Sequence, residues 1–297
     1  MNDTVPEANA EPETAAAAPV TEDTPVKEDK GNAVWREVKG LLWVLVAVLI
    51  FHSLVAKPFY IPSESMMPTL LKGDRLVVSK YPYGWSWVSP SFHIFPHWQG
   101  RLFGHMPQRG DIVIVTPPGR SDDYIKRVIG LPGDTIEVRN GRLILNGKPV
   151  KAEVRPPALI PVDANVPCVP GVSGVPVRTD NNQEYCKVPI VRETLPNGVS
   201  YDTMDLDEIS PGNNYGPTLV TPDHVFLMGD NRDRSADSRF PLSELGLGGP
   251  VPWENLGGRA EFITFSLDGT SEWLNPLTWF EAFRSGRAGT SLRAHKD

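Results

Sequence analysis

Two hydroxyls stand two positions apart in the stretch IPSESMMPTL, residues 61–70: Ser63 and Ser65. A serine hydroxyl attacks a carbonyl only when a base removes its proton, so the chain must offer a base. Histidine is the usual one. Of six histidines, His52 lies in an apolar run, His295 near the end of the chain, and His93, His97 and His105 in an aromatic stretch where packing explains them. His224 precedes the strand-like VFLM and has no partner that sequence identifies. Neither an HExxH pair for zinc nor a Gly-x-Ser-x-Gly elbow occurs. A zinc site and a Ser-His-Asp triad are therefore both weak readings.

Lysine is the other base. In water it holds its proton to about pH 10.4, but burial among apolar groups disfavours the cation and lowers that value by several units. The segment DDYIKRVIGLPGD supplies such a setting, because strand alternation puts Tyr124, Lys126 and Val128 on one face. Arg127 then points the other way, free to pair with a carboxylate. Taken alone, Lys126 reads as a solvated strand residue rather than a base. A third segment, GDNRDRSADSR at residues 229–239, holds three aspartates, three arginines and two serines after VFLM. It reads either as a solvated turn or as a polar rim in which a hydroxyl orients a catalytic group and ion pairs fix the loop.

The elements that must position these residues are β-strands. Gly73 and Asp74 launch RLVV, Gly110 and Asp111 launch IVIV, and Gly133 and Asp134 launch TIEV. Asn140 and Gly141 join TIEVR to RLIL, a strong hairpin signal, and Asn146 with Gly147 and Asn197 with Gly198 offer two more tight turns. There is no βαβ rhythm. The expected fold is mostly β: an antiparallel, barrel-like sheet core with a loop-rich β cap, preceded by one N-terminal transmembrane helix. Residues 151–222 carry too much proline for central strands and read as that cap, between core segments 58–150 and 223–297.

Residues 40–56, GLLWVLVAVLIFHSLVA, pass without a formal charge, and Lys39 and Lys57 bracket them. At 1.5 Å per residue this spans about 25 Å, the short end of what crosses a bilayer, so residues 34–57 read as a membrane anchor. The alternative is a buried core helix. Ahead of it, residues 1–33 hold eight acids and two lysines, which is −6 of the total charge of −7. That head reads as a disordered acidic tail. The nearly neutral remainder offers no footprint for nucleic acid. Lys30, Arg36 and Lys39 precede the span and only Lys57 closely follows, which favours a cytoplasmic tail. Residues 81–103 hold eight Phe, Tyr or Trp side chains with almost no charge, so they form either a packed loop or a surface seated at the headgroup layer. Cys168 and Cys186, 18 positions apart, are two free thiols or, in an oxidising compartment, a disulfide.

Together the segments resemble the type I signal peptidases, membrane-anchored serine peptidases of the Ser/Lys dyad class. The likeness runs in family order through residues 59–70, 73–83, 109–134 and 225–239 and resumes at GRAEFI, residues 258–263. It implies an endopeptidase that removes N-terminal leader peptides from secreted preproteins, cutting after small-x-small (Ala-x-Ala) sites, with no cofactor or metal. Ser65 matches the nucleophile and Lys126 the general base. Ser63 matches an oxyanion-stabilising hydroxyl and Ser235 the serine that orients the lysine. Arg127, Asp230, Asp237 and Arg239 match ion pairs that stiffen the site. Phe59, Ile61, Pro62, Met66, Leu70, Tyr124 and Ile125 match walls of shallow pockets for small substrate side chains. The implied partners are preproteins and membrane phospholipid. The implied place is the bacterial inner membrane, crossed once, with the catalytic domain on the periplasmic side. Two positions depart from the pattern: Glu64, where other members often carry glycine, and Arg234, where some carry asparagine. A positive φ at position 64 would cost a glutamate about 1–2 kcal/mol. The rival readings are a self-cleaving repressor of the same class, which would need a DNA-binding head, and a membrane-anchored β domain that only binds partners.

Overall fold

The computed structural model describes residues 30–90, 96–180, 182–206, 209–272 and 275–296. Most of the acidic head, together with Phe92, His93 and Phe95 of the aromatic stretch, lies outside them. Helix α1 runs Lys30–Leu54, and its stretch Val34–Leu54 has a mean hydropathy of 1.8. Leu41 and Trp43 are each 72% exposed, which a helix buried in a protein core would not leave bare. Among the described residues it is the one helix long and apolar enough to cross a bilayer.

The rest of the described chain is mostly antiparallel β. The three Gly-Asp turns share one local device. Each glycine sits at positive φ (100° at Gly73, 94° at Gly110, 90° at Gly133), where a side chain would be strained. Each following aspartate accepts the N–H three residues back: Leu71 to Asp74 at 2.8 Å, Gln108 to Asp111 at 2.9 Å, and Leu131 to Asp134 at 2.7 Å. The carboxylate thereby closes the turn and the strand leaves in a fixed direction. Two of these carboxylates are further held by arginines, Asp74 by Arg287 and Asp134 by Arg109, and Asp111 by the Tyr83 hydroxyl.

The main sheet has seven strands. In spatial order they are β1 (Ala56–Tyr60), β2 (Asp74–Ser79), β15 (Leu256–Ser266), β3 (Ile112–Val115), β4 (Tyr124–Gly130), β13 (His224–Met228) and β14 (Val251–Pro252). A second sheet runs β12 (Asn214–Leu219), β5 (Thr135–Arg139), β6 (Arg142–Leu145) and β7 (Lys148–Pro149). Asn140 and Gly141, both at positive φ, make the β5–β6 turn, and Asn146 and Gly147 the β6–β7 turn. In the third sheet β11 (Ser200–Thr203), β10 (Glu184–Thr194) and β8 (Lys151–Pro161) lie side by side, and β9 (Val175–Arg178) also pairs with β10. The prolines of residues 151–161 are accommodated because β8 is an edge strand: the register with β10 slips at Pro156 and Pro157, which pair with nothing. Cys168 and Cys186 are joined by a disulfide.

Around β3 and β4 both faces of the main sheet are covered. On β3, Ile112 and Ile114 enter one apolar cluster with Ile61, Met66 and Leu76, while Val113 and Val115 enter another with Val128 and Leu227. A third cluster joins the main and second sheets through Ile129, Phe226, Ile136 and Leu143. β4 lies inside this arrangement, and every residue on it after Tyr124 is buried. Helix α2 (Pro276–Glu281) is short and follows the last strand.

Candidate active site

The strand position of Lys126 dictates its chemistry. Tyr124 and Val128 pack in one cluster on either side of it, and Lys126 is 3% exposed. Its Nζ lies 3.0 Å from Ser65 Oγ and 2.9 Å from the Ile125 carbonyl oxygen, with the Tyr124 ring centroid 5.4 Å away. Burial is the largest influence on the ammonium and lowers its pKa from 10.5 to about 8; Asp237 and Asp230 pull it up, and Arg239 pushes it down. The amine is therefore easily neutral, within proton-transfer reach of a buried hydroxyl. Ser63 Oγ is 3.3 Å from Ser65 Oγ, on the exposed side.

The loop after β13 closes over this pair from behind. Arg127, pointing opposite to Lys126, grips Asp230 with two bonds of 2.7 and 2.6 Å, and Thr69 Oγ1 donates to the same carboxylate at 2.6 Å. Arg239 grips Asp237 with two bonds of 2.9 Å, and Asp237 accepts the Gly229 N–H at 2.9 Å. The four charged residues singled out in sequence thus sort into two pairs. Asn231, which sequence reasoning passed over, donates its N–H to the Ser65 carbonyl at 3.1 Å and its amide to the Glu64 carbonyl at 3.2 Å. Those two bonds fix the peptide planes on either side of Ser65.

A cleft of about 370 Å³ opens over Ser65 and Lys126. Phe59, Ile61, Pro62, Tyr124 and Ile125 line it, as does Ser63. Met66 and Leu70 do not; both are fully buried in the cluster beneath and serve as core rather than wall. Their side chains fill the space under the turn that carries Ser65. Ser235 is buried, but its Oγ has no hydrogen-bond partner, and Lys126 spends its bonds on Ser65 and Ile125. The orienting bond implied for Ser235 is thus not formed here. Glu64 is not among the positive-φ residues, so no backbone strain attaches to it. Arg234 is exposed, lines the cleft and donates to the Val172 carbonyl at 3.3 Å. No group of metal-binding side chains occurs among the described residues.

The family model for signal peptidase, peptidase S26, matches residues 34–265. The chain belongs to that family. Signal peptidase I of Rickettsia typhi is 35% identical over 258 residues, 84% of each chain. That of Rickettsia akari is 35% identical over 284 residues, 90% of this chain and 96% of its own. A crystal structure of a signal peptidase I from Enterococcus faecalis is 23% identical and covers 52% of this chain and 97% of its own, with a TM-score of 0.27. Membership of this peptidase family makes the chain a hydrolase, a serine peptidase.

Beyond Asn231, sequence reasoning missed Thr69, Glu193, Tyr201 and Arg232, all bonded to or stacked on the charged residues behind the site. It also missed Gly229, although a glycine after a run of buried apolar residues was a visible signal. A Cβ on Gly229 would stand 2.2 Å from Ser235 Oγ and 2.4 Å from the Ser65 carbonyl oxygen. We expect Gly229→Ala to remain folded by circular dichroism while peptide-bond cleavage falls by about 10²-fold or more, the scale of an ångström's misplacement. A variant with wild-type turnover would show that the loop yields freely.

Proposed function

We propose that the chain is a membrane-bound signal peptidase that removes leader peptides from secreted preproteins after small-x-small sites, with Ser65 as nucleophile and Lys126 as general base. The observation that carries this reading is the 3.0 Å approach of a buried amine to a buried hydroxyl at the floor of an apolar cleft. The scissile carbonyl is attacked by Ser65 Oγ as its proton passes to Lys126 Nζ. The oxyanion that forms is met by the Ser65 N–H and by the Ser63 hydroxyl; losing one such donor costs about 2.7–4 kcal/mol. Lys126 then gives the proton to the leaving amine and afterwards takes one from the water that frees the acyl group. Ser235 orients the Lys126 amine once substrate is seated. The apolar walls act twice, accepting alanine-sized side chains and keeping water from the lysine. An extended leader suits such a cleft, since backbone bonds give affinity and alternate side chains enter pockets.

In this reading α1 anchors the chain in a single pass, with the acidic tail on the cytoplasmic side and the β domain in the periplasm, where the Cys168–Cys186 disulfide is stable. Exposed Tyr81, Leu102 and Phe103 seat the aromatic stretch against phospholipid. No nucleic acid, metal or cofactor takes part.

The direct test is cleavage of a preprotein carrying an Ala-x-Ala site in detergent–lipid micelles, the cut located by mass spectrometry. Wild type is expected to cut once, after that site, and Ser65→Ala and Lys126→Ala to lose activity; a Lys126→Ala enzyme working at full rate would sink the dyad. The neutral amine is the active form, so kcat/KM should be low in acid and rise through a single step near pH 8, following the lowered Lys126 value. A step centred near the ordinary histidine range of about 6.5 would assign the base elsewhere. For topology, a membrane-impermeant thiol reagent applied to reduced intact cells should label the partly exposed Cys168. Labelling only after lysis would reverse the orientation.

A further inference from the structure

Behind the site, two ion pairs and a tyrosine form one continuous buried assembly. Glu193, near the end of β10, receives both terminal nitrogens of Arg232, at 2.6 and 2.5 Å. Tyr201 on β11 lies directly across the register from Glu193 and donates its hydroxyl to the same carboxylate at 2.8 Å. The Tyr201 ring also stacks on Arg127, whose guanidinium carbon is 4.3 Å from the ring centroid. Arg127 directly follows Lys126 and holds Asp230. Arg232 belongs to the loop itself: its N–H donates to Met204 at 2.8 Å, and its carbonyl accepts Arg239 at 2.6 Å. Glu193, Tyr201 and Arg232 are all buried, and none lines the cleft.

We propose that Glu193 and Tyr201 are positioning residues for the reaction, fixing β4 at Lys126 through Arg127 and fixing the loop of residues 229–239 through Arg232. This rests on the reading of Ser65 and Lys126 as the reacting pair. A buried ion pair is weak evidence for stability, since apolar side chains of similar volume often do as well. What a two-pronged arginine contact and a cation stacked on a ring supply is direction. Here they give direction to the two segments whose relative placement the chemistry needs. The third sheet thereby reaches the catalytic centre without touching the cleft. The same hairpin carries its own control. Arg192 and Asp202, the adjacent register pair, face the other way, bond to each other at 2.8 Å and are about a third exposed.

The experiment compares Glu193→Gln, Tyr201→Phe and Asp202→Asn with wild type and Ser65→Ala, as full chains in detergent–lipid micelles, on a preprotein with an Ala-x-Ala site. Glu193→Gln should lower kcat by up to about 10²-fold. Tyr201→Phe, which keeps the ring over Arg127 and loses only the hydroxyl, should lower it on the order of 5-fold. KM should stay near wild type for both, and Asp202→Asn should match wild type. Glu193→Gln should also move the acid limb of the pH profile to lower pH. Lys126 is faced by Asp237, Asp230, Arg239, the Ser65 hydroxyl and the Tyr124 ring. Removing the Glu193 anion leaves Arg232 uncompensated beside Asp230, so the surroundings become more positive and the ammonium less favourable. If activity merely tracks the folded fraction seen in thermal melts, with the limb in place and Tyr201→Phe at wild-type kcat, the role is structural and the proposal is overturned. Full activity in both variants overturns it equally. An inert wild type, or a Ser65→Ala enzyme that still cuts, would instead remove the Ser65–Lys126 reading, and this inference with it.

Discussion

Everything in this structure is arranged around keeping one amine dry. Lys126 sits within β4 with both faces of the sheet covered, and burial alone brings its proton affinity into reach of neutral pH. The loop that frames it needs carboxylates for rigidity, and each of those would by itself restore the lysine's charge. Three buried anions behind the site each have an arginine: Asp230 has Arg127, Asp237 has Arg239 and Glu193 has Arg232. Asp237 and Asp230 still pull Lys126 up and Arg239 pushes it down, but desolvation remains the largest influence on it.

The sheets supply the frame for that balance. Ser65 and Lys126 are 61 positions apart in the chain, and what brings them together is the seven-stranded sheet with the cluster of Ile61, Met66, Leu70 and Ile125 under the serine turn. The turn is held from below by packed side chains and from behind by the two bonds of Asn231. Rigid placement from two sides suits the proposed pairing of Ser65 with Lys126, because a lysine amine must be aimed as well as neutral.

Much of this was legible in the residues themselves. Strand alternation placed Arg127 opposite Lys126, and the Gly-Asp and Asn-Gly dipeptides marked turns that the backbone makes, because positive φ and a carboxylate reaching back three residues are local requirements. Met66 and Leu70 were harder. An apolar residue beside a nucleophile looks the same in sequence whether it faces the cleft or the core, and these two face the core. Glu193 and Tyr201 carry no motif at all; their meaning comes from a tertiary pairing that spans 39 positions from Glu193 to Arg232. The unpartnered Ser235 hydroxyl was equally beyond reach, since a single hydrogen bond depends on a rotamer rather than on spacing.

The edge strand β8 has a consequence for the company this protein keeps. An open sheet edge pairs readily with any extended, unpaired chain it meets. Pro156, Pro157 and Pro161 remove three N–H groups from this eleven-residue edge, and the register slip at the first two breaks its regular ladder. A passing chain finds too few donors in sequence to zip onto it. The prolines thus act as insulation along a long, otherwise adhesive border.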